Sequence, residues 1–227
     1  MNILITGSEG FIGQYLVKEA LKQGHAVTGI DNLSKYGKVS RLAQSLSGLK
    51  SDYILVRADL TKADQLYELL ELFEIDHLIM NAAVIGGIAF FHEHAYKIIS
   101  ENEQILKTSF DAAINYERLQ KITVISSSMI YESATEFPLK EDMIYEIPPP
   151  KSTYGFQKLA AHYFCKGAYE EHNLPYTIII PFNAIGIGEH DFSTGNSHVI
   201  PDLIYKLLTL KSGEPLQLFG SGKQIRY

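Results

Sequence analysis

The chain has 227 residues, 46% apolar and 20% charged, as in a globular protein that buries a sizeable core. Its formal net charge of −6 argues against a general affinity for nucleic acid or anionic membranes. The single cysteine, Cys165, excludes an internal disulfide and fits a reducing compartment. The N-terminal stretch MNILITGSEGFIG lacks the basic region and long apolar run of a signal peptide, so we expect a cytoplasmic protein without a membrane segment.

Short apolar runs alternate with helical patterns from the start of the chain. The predicted strands cover residues 2–6, 26–30, 53–58, 77–80, 122–127 and 176–181. The predicted helices cover residues 11–24, 61–73, 95–116 and 154–172. Regular alternation of this kind predicts βαβ units and an α/β domain with a doubly wound parallel sheet.

A glycine-rich turn follows the first predicted strand directly. In TGSEGFIG, Gly7, Gly10 and Gly13 are spaced three apart and lead into a helix. Glycines permit a tight turn and close approach of the backbone to a pyrophosphate, while the helix N-terminus supplies unpaired N–H donors and a favourable dipole. Asp31, at the end of the second strand, is placed to accept hydrogen bonds from an adenosine ribose. Together these residues predict a dinucleotide site.

The same acid bears on the choice of dinucleotide. A carboxylate at Asp31 repels a 2′-phosphate and no arginine flanks it, so we predict NAD rather than NADP. Lys35 and Lys38 lie nearby and leave NADP as the alternative. Asp59, after the third strand, is interpreted either as a contact to the adenine edge or as the N-cap of the next helix.

Tyr154 and Lys158 stand one helical turn apart in STYGFQK. At this spacing two side chains share a helix face with their β-carbons about 5–6 Å apart, so a lysine ammonium can approach the phenol. A nearby cation lowers the pKa of a tyrosine and makes it available as a base. An ordinary exposed helix pair is the alternative interpretation of this short pattern.

Two regions interrupt the alternation of strands and helices. Residues 136–152 are rich in proline and charge, which predicts a loop that leads into the helix carrying Tyr154. From residue 182 the pattern is that of a loop, a helix, a strand, a glycine turn and a second strand. We therefore divide the chain into a nucleotide-binding domain over residues 1–181 and the start of a small, incomplete α/β substrate lobe over residues 182–227.

Taken in order, several short motifs resemble those of the extended short-chain dehydrogenase/reductase family, the nucleotide-sugar epimerases and dehydratases. They are TGSEGFIG, Asp31, NAA at 81–83, SSS at 126–128, YGFQK at 154–158 and PFN at 181–183. The resemblance covers essentially the whole chain. It implies a Rossmann domain that binds NAD and a C-terminal lobe that holds a nucleoside diphosphate sugar.

The resemblance also implies the catalytic residues. Tyr154 matches the catalytic base, and Lys158 matches its partner, which also holds the nicotinamide ribose. Ser127 matches the catalytic serine, counted back four residues from Tyr131, and Asn102 matches the helix asparagine that fixes the active-site backbone. With Lys158 and an oxidised nicotinamide both contributing positive charge, we expect the phenolate to be accessible near neutral pH.

The remaining predicted site residues fall into two groups. For the cofactor they are Gly7, Gly10, Phe11, Ile12, Gly13, Asp31, Asn32, Ser34, Asp59, Leu60, Asn81, Ala82, Ala83, Tyr154, Lys158 and Pro181. For the substrate they are Ser127, Ser128, Met129, Asn183, His198 and Arg226. Asn183 and Arg226 match positions that contact the diphosphate, and His198 matches the region that holds the nucleotide base. Ile180 stands where relatives often have an arginine, so that side of the diphosphate pocket is expected to differ.

The residues after Ser127 bear on which reaction follows. Dehydratases of the family carry an Asp-Glu pair after the catalytic residue, but this chain has Ser128 and Met129. The 3,5-epimerases, including GDP-fucose synthase, place a cysteine where Met129 stands and a histidine at Gly188, although His190 lies two residues away. The chemistry that remains needs only a tyrosine, a serine and NAD, which predicts a 4-epimerase. A 4,6-dehydratase or a 3,5-epimerase/reductase stays open as the alternative.

Other expectations concern partners and a different class of protein. We expect a homodimer formed through the helices 95–116 and 154–172, as in the family. The HEH triplet at 92–94 is interpreted as solvated residues, and no metal site is predicted. A non-catalytic NAD-binding scaffold or sensor is the alternative class, because the second lobe is incomplete.

Overall fold

The computed structural model describes residues 1–35, 40, 42, 46, 52–62, 64–86, 88–188 and 198–218. Its centre is one parallel sheet with the strand order β3-β2-β1-β4-β5-β6. The strands are β1 Asn2–Thr6, β2 Ala26–Asp31, β3 Tyr53–Arg57, β4 His77–Met80, β5 Lys121–Ile125 and β6 Tyr176–Ile179. This is the order of a doubly wound Rossmann sheet, so the predicted fold class is confirmed.

Helices connect and cover these strands. They are α1 Phe11–Lys22, α2 Asp64–Leu72, α3 Ile88–Glu93, α4 Ala95–Asn115, α5 Thr153–His172 and α6 Val199–Thr209. Two short 3-10 helices lie at Ser128–Tyr131 and Glu141–Tyr145, the second inside the segment predicted as a loop. The short helix α3 was not predicted. The strand predicted after α6 is absent from residues 210–218, and the second predicted strand falls mostly on residues outside the described ones.

The core lies between the sheet and the helices. Leu4 of β1, Leu78 of β4 and Ile122 of β5 are fully buried and pack in one cluster with Leu70 and Phe110 from the covering helices. Burying each such side chain contributes about 1.5–3 kcal/mol to stability. The continuous apolar runs that predicted these strands are therefore explained by burial on both faces of the sheet.

The order of the strands reverses at β1. The chain runs from β1 outward to β2 and β3 and then returns to place β4 on the other side of β1. The connections after β1 and β4 therefore separate at the carboxyl edge of the sheet, which leaves a crevice there. Ligands of open α/β sheets bind at this type of switch point.

Helix α5 begins and ends at residues whose conformations suit those positions. The Ser152 hydroxyl accepts a hydrogen bond from the Gly155 backbone N–H at 3.0 Å, and Asn173 ends the helix in the left-handed conformation, with φ of 55°. Tyr154 and Lys158 consequently lie in the first turns of the helix, where both are buried rather than exposed. The exposed-pair interpretation of STYGFQK is therefore wrong.

Candidate active site

The glycine turn joins β1 to α1 at the crevice. Gly7 has φ of +64°, and its N–H donates to the Ile30 carbonyl of β2 at 2.7 Å. A Cβ on Gly7 would lie 2.9 Å from the Ala82 Cα, and a Cβ on Gly13 would lie 2.0 Å from the Gly7 carbonyl oxygen. Both glycines are thus required by close backbone packing, which brings the start of α1 against the turn.

Thr6 and Asn81 tie the two sides of the crevice together. The Thr6 hydroxyl accepts hydrogen bonds from the backbone N–H groups of Asn81 and Ala82, each at 3.0 Å. The Asn81 side-chain amide donates to the Gly7 carbonyl at 3.0 Å. The NAA segment therefore lies beside the glycine turn, as expected for two parts of one cofactor site. Thr6 itself was not predicted as a site residue.

Asp31 is held by backbone donors at the end of β2. Its Oδ2 accepts from the Glu9 N–H at 3.0 Å and its Oδ1 from the Leu33 N–H at 2.8 Å. Burial raises the pKa of Asp31 above its usual value, although these hydrogen bonds oppose the shift. Each carboxylate oxygen has a second lone pair, so the group retains capacity to accept from ribose hydroxyls.

A second carboxylate lies in the same region. Glu9 is only 3% exposed, and its side chain accepts from the Tyr53 hydroxyl at 3.0 Å, the Ser40 hydroxyl at 2.9 Å and the Leu42 N–H at 3.1 Å. Buried Glu9 and partly buried Asp31 interact electrostatically, and two neighbouring carboxylates make this part of the crevice unfavourable for a further anion. Sequence reasoning missed Glu9, although an acid inside a glycine-rich turn is a visible signal.

The other residues predicted for the adenosine half have local roles. Asp59 Oδ1 accepts from the Thr61 N–H at 3.1 Å and the Thr61 hydroxyl at 2.8 Å, so it closes a turn ahead of α2 instead of capping the helix. The Asn32 side chain accepts from the Ser34 N–H at 3.0 Å. Phe11 and Ile12 open α1 and Leu60 is buried. Lys38 lies outside the described residues.

Tyr154 lies at the carboxyl end of β5. It is 5% exposed, hydrogen-bonds the Ser127 hydroxyl, and stacks on Phe91 with ring centroids 4.8 Å apart and an interplanar angle of 17°. The Ser127 hydroxyl also accepts from the Met129 N–H at 3.2 Å, which fixes its position at the start of a 3-10 helix. Ser127 and Tyr154, each predicted as a catalytic residue, therefore lie next to each other. Phe91 was not predicted, and no local pattern marks it.

Lys158 is held next to this pair. Its Nζ donates to the Ile125 carbonyl at 3.0 Å and lies 5.9 Å from the centroid of the Tyr154 ring. The side chain is 8% exposed, and burial lowers its pKa to about 8. In the protein alone the pKa of Tyr154 is raised by burial, and the Ser127 hydrogen bond only partly opposes that shift. Burial therefore has the larger effect on the phenol in the protein alone, and the acidic phenol expected from Lys158 and oxidised nicotinamide together stays a prediction.

Asn102 fixes the loop that faces Tyr154. Its Oδ1 accepts from the Val84 N–H at 2.7 Å and its Nδ2 donates to the Val84 carbonyl at 3.0 Å. A small cavity of about 20 Å³ lies between α4 and α5, and its lining includes Asn102, Lys158, Ala82 and Ala83. The predicted catalytic residues and the NAA segment therefore meet at one place.

The predicted substrate residues are spread over several parts of the structure, unlike the predicted catalytic residues. The Ser128 N–H donates to the Pro181 carbonyl at 3.2 Å, so SSS and PFN lie side by side. Asn183 is exposed with φ of 45°, and His198 is exposed at the N-terminus of α6. Arg226 and His190 lie outside the described residues.

Lys158 provides a prediction on pH dependence. Its pKa is 10.5 in an unfolded chain and about 8 here, so between these values the unfolded state binds the proton that the folded state has released. Raising the pH through this window therefore stabilises the folded protein. The measurement is the free energy of unfolding of Lys158→Met and of wild type, determined by urea denaturation without cofactor. We expect the value of the variant minus that of wild type to be most favourable at pH 7 and to decline towards pH 10.

The matched control removes a lysine from the exposed side of the same helix. Lys166 lies on α5, where its Nζ is 3.8 Å from Glu170 Oε1 and both side chains are largely exposed. The decline with pH should be specific to Lys158→Met and should not occur in Lys166→Met. A Lys158→Met difference that stayed constant from pH 7 to pH 10 would contradict the burial of a charged ammonium.

The described residues contain neither a cluster of metal ligands nor a membrane-spanning helix. No three His, Cys, Asp or Glu side chains come together there in a way that could hold a metal ion. Within the same residues, no helix is both long and apolar enough to span a lipid bilayer.

The sheet order, the glycine turn and the Ser127–Tyr154–Lys158 group define a short-chain dehydrogenase/reductase of the extended type, built on a Rossmann domain. The sequence model of the NAD dependent epimerase/dehydratase family matches residues 3–227. The chain belongs to this family.

Individual relatives are similar over almost the whole chain. A UDP-N-acetyl-alpha-D-glucosaminuronate decarboxylase of Bacillus cytotoxicus is 29% identical over 98% of this chain and 65% of its own length. A UDP-glucose 4-epimerase of Thermotoga maritima, solved with UDP-glucose, has a TM-score of 0.82 and 26% identity, covering 100% of this chain and 68% of its own. A UDP-N-acetylglucosamine 4-epimerase of Methanobrevibacter ruminantium has a TM-score of 0.79 and 29% identity, covering 98% and 66%. The chain thus spans slightly less than two thirds of the length of the Bacillus cytotoxicus decarboxylase.

The site fits the cofactor that gives the family its name. Gly10 is the N-cap of α1 and has no side chain to satisfy the N–H groups of the first turn. These donors, together with the helix dipole, suit a pyrophosphate, and Asp31 suits the adenosine ribose. Ala82, Ala83 and Lys158, around the small cavity, lie on the side of the crevice towards Tyr154, where the nicotinamide half belongs.

Proposed function

We propose that the protein is an NAD-dependent nucleotide-sugar 4-epimerase. The observation that carries this proposal is the hydrogen-bonded pair of Ser127 and Tyr154 beside buried Lys158, at the carboxyl edge of a dinucleotide-binding sheet. The neighbouring positions 128 and 129 hold a serine and a methionine, which supply no further acid or base. The solved structures from Thermotoga maritima and Methanobrevibacter ruminantium, both named as 4-epimerases, support the same reaction.

Each residue has a defined task in this reaction. Tyr154 takes the proton from the hydroxyl on carbon four of the sugar, and Ser127 hydrogen-bonds the same oxygen. Bound NAD would supply the hydride chemistry at that carbon, and its oxidised form would add positive charge near the phenol. The 4-keto sugar rotates between the two transfers, so the opposite face receives the hydrogen. Tyr154 then returns the proton and the products are isomers of the substrate.

The charge of the cofactor also explains how a phenol with a raised pKa can act as the base. In the protein alone, burial keeps Tyr154 protonated, which suits a resting state. A second cation next to Lys158 favours the phenolate, so the base forms when oxidised cofactor is present.

The adjacent carboxylates of Asp31 and Glu9 favour NAD over NADP, because a 2′-phosphate would be repelled by both.

The test is incubation with NAD and a panel of UDP- and GDP-sugars, followed by NMR and mass spectrometry of the sugar. We expect a C4 epimer of unchanged mass for at least one substrate. A product lighter by one water would instead indicate a 4,6-dehydratase, and inversion at carbons three and five would indicate a 3,5-epimerase. Binding of NAD without conversion of any sugar would favour a scaffold or sensor.

We also propose a homodimer formed through α4 and α5. A groove of about 360 Å³ runs between these helices and is lined by Phe110, Ile114, Tyr163 and Phe164 among others. Tyr163 is 54% exposed although its ring packs edge-on to Tyr145. Asp111, Glu171 and His172 also line this groove, so it has an aromatic centre with charged residues beside it, a composition that suits the same two helices of a second copy. We further propose that the protein acts in the cytoplasm, which fits its single, buried cysteine.

The dimer gives a prediction on oligomeric state. Analytical ultracentrifugation at micromolar concentration should show a dimer, and Tyr163→Glu should shift it to monomer, because the change removes an aromatic ring and adds a carboxylate beside Asp111 and Glu171. Leu72→Glu is the matched control, since Leu72 is exposed at the end of α2. A wild-type protein that is only monomeric would refute the proposal.

A further inference from the structure

A buried histidine lies on α5, the helix that also carries Tyr154 and Lys158. His162 follows Lys158 by one turn of α5 and Tyr154 by two, and it is 3% exposed. Its Nε2 lies 2.8 Å from the hydroxyl of Ser126, which is also buried. The pair joins α5 to the end of β5 across 36 residues of sequence.

The partner of His162 occupies a central position. Ser126 stands between Ile125, whose carbonyl accepts from Lys158, and Ser127, whose hydroxyl bonds Tyr154. The backbone N–H of Ser126 donates to the Ile179 carbonyl of β6 at 2.8 Å. The backbone of Ser126 is thus held by the sheet and its side chain by α5. The bond of His162 to Ser126, together with that of Lys158 to the Ile125 carbonyl, therefore holds the helix against the strand end that leads to Ser127.

The charge state of His162 suits this task. Burial lowers its pKa to about 4, and the nearby positive charge of Lys158 acts in the same direction. The imidazole is therefore neutral at neutral pH and keeps one constant hydrogen bond to Ser126. A neutral imidazole therefore adds no positive charge beside Lys158.

We propose that His162 is a positioning residue of the active site, which through Ser126 sets Ser127 and the Ile125 carbonyl against Tyr154 and Lys158. This inference rests on the proposed function for its role in turnover. The hydrogen-bond geometry on which it depends is independent of that function.

The test compares His162→Gln with His162→Leu. Glutamine can place a nitrogen near the position of Nε2 and keep the bond to Ser126, whereas leucine cannot. We expect kcat to fall by about tenfold to a hundredfold in His162→Leu, with KM and NAD affinity within about twofold of wild type, and to be largely restored in His162→Gln. Ser126→Ala should reproduce the loss, and the double variant should be no worse than either single one.

The chain contains a matched control for loss of a buried histidine. His77 of β4 places its Nε2 2.8 Å from the hydroxyl of Thr123, which lies on the same strand as Ile125 but away from its carboxyl end. His77→Leu should lower the melting temperature without lowering kcat. If His162→Leu loses kcat only to the extent that His77→Leu does, the role is structural and the proposal is overturned.

A spectroscopic readout makes the test independent of turnover. In protein labelled with ¹³Cζ-tyrosine, the Tyr154 resonance can be assigned by its loss in Tyr154→Phe. It should shift in His162→Leu and Ser126→Ala, because the Ser127 hydrogen bond is disturbed, but not in His162→Gln or His77→Leu. An unchanged resonance in a folded Ser126→Ala would overturn the proposal, even if His162→Leu fails to fold. A wild type inactive on every sugar would refute the proposed function, while the resonance would still decide the inference.

Discussion

Tyr154→Phe is expected to reduce epimerisation by about 10²–10⁴-fold, the usual contribution of a positioned acid or base. The change removes the phenol oxygen that takes the sugar proton but keeps the ring that stacks on Phe91. NAD affinity should be unchanged, because the glycine turn and Asp31 are untouched. The measurement is turnover by NMR, together with NAD affinity by isothermal titration calorimetry.

The control for this change is another tyrosine on the same helix. Tyr163→Phe removes a hydroxyl from an exposed position of α5 and should leave turnover unchanged. Unfolding of Tyr154→Phe should differ from wild type by only about 1 kcal/mol, the usual net value of one hydrogen bond. If Tyr154→Phe turned over substrate at the wild-type rate, the role proposed for the phenol would be wrong.

Gly13→Ala is expected to weaken NAD binding at least about tenfold. The new Cβ would lie 2.0 Å from the Gly7 carbonyl oxygen, so α1 must move away from the turn. Overpacking of this kind costs about 1–3 kcal/mol, and about 1.4 kcal/mol corresponds to a factor of ten in affinity. Calorimetric titration with NAD measures the effect, and a thermal melt without NAD measures the accompanying loss of stability.

Gly167→Ala is the matched control for this substitution. Gly167 lies inside α5 with no atom within 4 Å of the position that a Cβ would take. Alanine there should raise stability by up to about 1 kcal/mol, because it favours the helix, and should leave NAD affinity unchanged. Wild-type NAD affinity in Gly13→Ala would show that the close approach of α1 to Gly7 is not needed for the cofactor.

Much of the fold was predictable because its signals are local. The apolar runs identified all six strands, and the helices around residues 11–24, 61–73, 95–116 and 154–172 occur with ends shifted by a few residues. The short α3 escaped prediction because six residues carry too little periodicity. The strand expected after α6 is absent from residues 210–218. The apolar pattern there was not sufficient to identify a strand.

The site was predictable where spacing along one helix or one turn decides the geometry. Gly7 and Gly13 could be located because a strand-turn-helix unit is continuous in sequence. The roles of Asn102 and Ser127 were predicted only through the family resemblance, and their contacts with Val84 and Tyr154 were not predicted. The pKa of the phenol in the protein alone could not be predicted, because helix spacing reports proximity but does not report desolvation.

The sequence by itself determined the parallel sheet, the position of the dinucleotide turn and the helix face shared by Tyr154 and Lys158. These depend on periodicity and on residues close to each other along the chain. The tertiary structure alone decided that Glu9 meets Tyr53, that Phe91 covers Tyr154 and that His162 reaches Ser126. Such contacts join residues far apart in sequence, and the burial that sets their charge exists only once the helices have packed on the sheet.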